Sequence, residues 1–159
     1  MSATGLQNID SAVQKFNIWL RDLDEKLAWQ DRRKSYAVLK TTLHAIREHL
    51  SVNQSAHFTA QLPMILRGAY YDGWVPSRVP VKERQLQQFY DYIRHHYDQS
   101  PGGRLIDPER LVVAVFELLN EHISAGEVND IRGDLPSAIR ELWPEPPPAG
   151  DGSRPAAGR

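Results

Sequence analysis

Histidine and carboxylate spacing is the first place to look for chemistry in this sequence. Six histidines are present and no cysteine. The missing thiol removes disulfides, thiolate nucleophiles and cysteine-ligated metals. His44 and Glu48 stand four residues apart, so on a helix they share a face. A shift of 73 residues, the distance from Ser51 to Ser124, sets Glu117 and Glu121 against them in the second half of the chain. One imidazole and three carboxylates form a donor set for iron, manganese or zinc. Carboxylate metal bundles use Glu-x-x-His pairs, however, and this chain has none. A solvated polar face accounts for the same four residues, so no cofactor is expected.

The other concentration of chemistry-bearing residues is Met64 to Trp74. Arg67, Tyr70, Tyr71 and Trp74 fall close together there, with Gly68 and Gly73 between them. Arginine, tyrosine and tryptophan anchor protein interfaces because they bury large area at low entropic cost. Tyr70 has an equivalent in Trp143, 73 residues on, and the two read as core residues closing each half. Tyr71 and Trp74 face Pro144 and Pro147 in that comparison. Arg67, Tyr71 and Trp74 are therefore the interaction candidates, with a core role for Trp74 left open. No glycine-rich phosphate loop, dinucleotide fingerprint or Gly-x-Ser-x-Gly elbow occurs, and no catalytic residue is nominated. The favoured function is a non-enzymatic protein-interaction or assembly module, through a protein partner or self-association. The alternative is a metal-binding helical protein in which His44, Glu48, Glu117 and Glu121 meet between the halves.

Charge excludes further classes. Lysine and arginine number 19 against 20 aspartates and glutamates, a net charge of -1. Proteins that live on phosphate contacts carry a basic excess, so no nucleic-acid partner is expected. The one basic run is Arg32-Arg33-Lys34, read as a loop or first helical turn. The longest apolar run, Leu111 to Phe116, is far short of a membrane span, and no membrane partner is expected. A cytoplasmic location is the default reading.

The elements that must position these residues are helical throughout. Ile9, Val13, Phe16, Leu20, Leu23 and Leu27 follow steps of four and three, which predicts one apolar stripe. Val38, Leu39, Leu43, Ile46 and Leu50 predict a second helix. Leu111, Val112, Val115, Phe116 and Leu119 predict its counterpart, opened by Asp107-Pro108. Ser51-x-x-Gln54 and Ser124-x-x-Glu127 read as capping boxes at matching positions. Pro63 and Pro136 predict that the third helices end near Leu62 and Leu135, with a short fourth helix opening on the proline.

The expected fold is all-α: one domain over residues 1–143, made of two pseudo-repeated units of three to four helices packed on each other. The units span 5–72 and 82–143, joined by a linker over 73–81. Residues 144–159 read as a disordered proline-rich tail, too poor in large apolar residues to offset the entropy of ordering.

Several stretches together resemble a bacterial family of unknown function, the DUF2267 proteins. They are Gly5-Leu6 with Leu20, Ala37 to Arg47, Ala60 to Trp74, His122 to Glu127, Leu135-Pro136 and Arg140 to Pro144. The run from Gln61-Leu-Pro to Gly73-Trp74 is the most specific. The resemblance implies a small all-helical protein whose members look like two related halves. It carries over no activity, substrate or catalytic residue.

Overall fold

The computed structural model describes residues 3–98 and 107–147. Within them the chain forms eight α-helices and no strand. They are α1 (Gln7–Leu27), α2 (Arg32–Arg47), α3 (Val52–Thr59), α4 (Met64–Tyr71), α5 (Leu86–Asp98), α6 (Pro108–His122), α7 (Ala125–Asp134) and α8 (Ser137–Arg140). A short 3-10 turn, Pro76–Arg78, interrupts the connection from α4 to α5. The expected tail from 148 onward and the loop around Ser100-Pro101-Gly102-Gly103 lie outside the described residues.

α2 and α6 form the centre because their apolar positions are the most continuous. Val38, Leu39, Leu43, Ile46 and Leu50 are all buried, as are Leu111, Val112, Val115, Phe116 and Leu119. α2 packs against α1, α4, α5 and α6, and α1 also lies along α6. The stripe of α1 is used unevenly. Leu20, Leu23 and Leu27 are buried, joined by Trp19, while Val13 is 38% exposed. Trp19 wins its place by stacking on His122 of α6, with ring centroids 4.6 Å apart.

Helix starts follow side-chain chemistry closely. Asp31 caps α2 by accepting from the amides of Arg33 and Lys34, so Arg32-Arg33-Lys34 forms its first turn. Asp107 caps α6 with Pro108 in the first turn. Ser51 and Gln54 form the full reciprocal box at α3. At α7 only half of it forms: Ser124 Oγ accepts from the Glu127 amide at 3.4 Å. The Glu127 carboxylate is turned instead toward His57 of α3, 3.3 Å away.

The prolines act one residue earlier than expected. Pro63 (φ -56°, ψ 152°) and Pro136 (φ -52°, ψ 144°) precede α4 and α8 in extended geometry. Proline fixes φ but not ψ, so it sits as readily before the first helical residue as within it. α3 also stops at Thr59, short of Leu62. Arg67 explains that early end: Nε donates to the Thr59 carbonyl (3.0 Å) and Nη2 to that of Leu62 (3.2 Å). Arg140 repeats the pattern on α7, with Nε on the Arg132 carbonyl (2.8 Å) and Nη2 on that of Leu135 (2.9 Å). Free helix C-terminal carbonyls need such donors. Both guanidinium groups therefore close a helix and tie it to the next one.

Candidate functional site

The aromatic run turns inward more than outward. Tyr70 is fully buried, its hydroxyl 2.7 Å from Ser55 Oγ, and burial raises its pKa above the reach of ordinary pH. Tyr71 is half-buried, with its hydroxyl 2.9 Å from Thr59 Oγ1 and its ring edge-on to Tyr70. Trp74 is half-buried against Tyr71, ring centroids 5.0 Å apart, and its indole N–H is buried without a hydrogen-bond partner. Arg67 holds the end of α3, as described. These three side chains brace α3, α4 and the start of the connector. Trp143, the equivalent of Tyr70, is buried and stacked flat on Phe116 at 4.3 Å.

The four proposed metal donors go to different partners. His44 Nε2 donates to the Ala69 carbonyl at 2.7 Å, an arrangement that needs a neutral ring carrying its proton on Nε2. Burial, opposed by that bond and reinforced by Arg47 and Lys40, pushes its pKa down to about 4. Glu48 lies beside Arg47, with Oε1 3.8 Å from Nε. Glu117 and Glu121 instead converge on Lys26 of α1. No three of His44, Glu48, Glu117 and Glu121 come within ligating distance of one another among the described residues. The groups that do are Asp22 with Glu121 and His122, and His57 with Glu127 and Asp130. His122 Nε2 is already 2.8 Å from Asp22 Oδ2, and Glu121 is engaged by Lys26, so neighbouring side chains account for the first group.

A cleft opens where the end of α2, the connector and α5 meet. It has two lobes that share Glu48, Arg78 and Tyr92. One, about 260 Å³, is walled by Ala45, Val81 and Phe89, with Glu83 and His49 also lining it. The other, about 350 Å³, is lined by Arg47, Gly73, Val75 and His96. The Glu48 carbonyl accepts from the Val81 amide at 2.8 Å, which pins the connector along α2. Gly73 turns the chain at φ +72°, a backbone region side chains rarely adopt.

Arg47 is the unusual residue in this cleft. It is 5% exposed, and Nη1 donates to the carbonyls of Tyr70 (2.6 Å) and Asp72 (2.7 Å). Its Nε is buried with no hydrogen-bond partner. A buried cation is costly unless its donors are satisfied, so this edge of the guanidinium is open to an acceptor. Arg78 makes no side-chain hydrogen bond or ion pair among the described residues and adds a second positive charge. His96 stacks on Tyr92 (3.9 Å, 20°) and bonds its carbonyl through Nδ1 at 2.9 Å. Burial raises the pKa of Tyr92, so its hydroxyl stays protonated and available as a donor.

The cleft escaped the sequence reading. Its residues come from three elements, and none falls in a recognised motif. The one signal was Arg47 itself, a charged residue beside Ile46 on an otherwise apolar helix face.

Residues 16–142 match the model of a family described as uncharacterized conserved protein, DUF2267. The chain belongs to the DUF2267 family. The match runs from Phe16 in α1 to Leu142 beyond α8, so every residue of the cleft in this DUF2267 protein lies inside the family region. A search of the curated proteins finds no match.

Proposed function

We propose that this DUF2267 protein is a non-enzymatic binding module whose binding site is the cleft between α2, the connector and α5. The observation that carries the reading is Arg47: a guanidinium held in place by two backbone carbonyls, with a buried Nε left for something else. Concave sites with a few convergent polar groups on a largely apolar wall are where proteins hold small ligands. Tyr71 and Trp74 then serve the site indirectly. They brace the segment that carries Asp72 and Gly73, and so set one wall of the cleft. The two halves read as copies of one unit, supported by the paired roles of Arg67 and Arg140 and by Asn120. Asn120, 73 residues after Arg47, likewise donates to a carbonyl beyond the fourth helix, that of Pro144.

A fragment screen by two-dimensional NMR on the full chain tests the proposal. Fragments of mixed charge are expected to shift amides of Ala45–Glu48, Gly73–Arg78 and Phe89–His96 and to leave the α3–α7 region unmoved. If no fragment perturbs the cleft, or if the shifts cluster at another face, the reading is wrong.

A further inference from the structure

We infer that the cleft takes a small monocarboxylate with an apolar body, an aromatic or short aliphatic acid. The inference rests on the binding-module reading and names its ligand. The two lobes differ in chemistry but are continuous through Glu48, Arg78 and Tyr92. The wall of Ala45, Val81 and Phe89 offers an apolar surface to a ring or chain. Arg47 and Arg78 sit at the other end, with Tyr92 between. One molecule reaching across both lobes must be apolar at one end and anionic at the other.

Charge decides which anion. The polar lobe holds two arginines against one glutamate, a net charge of +1 with His96 neutral. A single carboxylate balances it. A phosphate dianion leaves a surplus and suffers more from the Glu48 carboxylate, which stands 3.8 Å from Arg47 Nε. Geometry agrees: a planar guanidinium edge matches the two oxygens of a carboxylate. The buried Nε of Arg47 supplies a desolvated donor, and exposed Arg78 supplies a mobile charge that closes over the ligand. Glu83 and His49 mark the far end of the apolar lobe and leave room there for a polar substituent on the body.

The test uses three probes against the full chain: 3-phenylpropanoate, its neutral analogue 3-phenylpropanol, and inorganic phosphate. Each is titrated while the amide spectrum is followed. The acid is expected to shift amides of both lobes saturably, with the alcohol and phosphate at least about tenfold weaker. Arg78→Gln is expected to weaken the acid about tenfold while the thermal midpoint stays unchanged, because the side chain is exposed and unpaired. The inference is overturned if the alcohol or phosphate binds as well as the acid, if Arg78→Gln binds it undiminished, or if the acid leaves the cleft unmoved. Should the acid fail while other fragments still shift the cleft, the ligand class is wrong and the binding module stands. If nothing shifts it, both readings fall together.

Discussion

Replacing His44 by glutamine tests how tightly the end of α4 is held to α2. In the fold the neutral imidazole donates from Nε2 to the Ala69 carbonyl at 2.7 Å. Charging the ring means charging a partly buried group beside Arg47 and Lys40. Asp72 and the Ala69 bond oppose the downward shift without cancelling it, and the pKa falls from 6.5 to about 4. Between those values the unfolded chain binds the proton and the folded chain does not. Stability is therefore full above pH 6.5, falls as pH drops toward 4, and levels off below that. Linkage with these two values gives a loss of about 2 kcal/mol between pH 7 and pH 5, and about 3 kcal/mol by pH 4. Both are upper values, because the ring retains some contact with water that screens the charge. His49 is shifted in the same direction by burial and by Arg84, and adds to the loss over the same window. Subtraction isolates His44. His44→Gln keeps an N–H donor for Ala69 and removes the titrating group. Urea unfolding followed by circular dichroism at pH 7, 6, 5 and 4 is expected to give a shallower pH dependence for the variant, the gap at pH 5 approaching about 2 kcal/mol. Parallel curves for the two proteins would refute the reasoning, since they would mean that His44 titrates alike in both states.

Other substitutions probe the remaining claims. Arg67→Ala and Arg140→Ala each leave helix C-terminal carbonyls without a side-chain donor, and each is expected to lower stability by about 1–3 kcal/mol in urea. Ser51→Ala is expected to cost about 1 kcal/mol, and Ser124→Ala less, since the reciprocal half of the box is absent at α7. Trp143→Ala, at a side chain 2% exposed and stacked on Phe116, is expected to cost about 3–5 kcal/mol. Trp74→Ala is expected to displace amides of Gly73–Arg78 and weaken cleft binding with no change in sedimentation. A change in association state with the cleft undisturbed would return Trp74 to an interface role.

Helix positions were legible because they depend on short-range rules. The Ser51 cap and its Gln54 partner, the Asp107-Pro108 start and the apolar stripes of α2 and α6 are all local patterns that packing then exploits. The misreadings came where two elements compete for one side chain. Glu127 left its capping box for His57, and Arg67 left the surface for the carbonyls of α3. Both are charged groups whose better partner lies on another helix, which no periodicity reveals. The proposed metal set failed to gather for the same reason: Glu117 and Glu121 found Lys26, and His44 found Ala69.

The sequence by itself determined an all-helical chain of this family, its caps and its core residues. Each follows from spacing within a dozen residues and from which side chains avoid water. Tertiary structure alone decided the cleft. Arg47, Arg78 and Tyr92 meet only because the connector is pinned to the end of α2 by the Val81–Glu48 bond and α5 packs against α2. Desolvation of Arg47 is likewise a property of the packed surroundings, since the same residue on an isolated helix would be hydrated on every side.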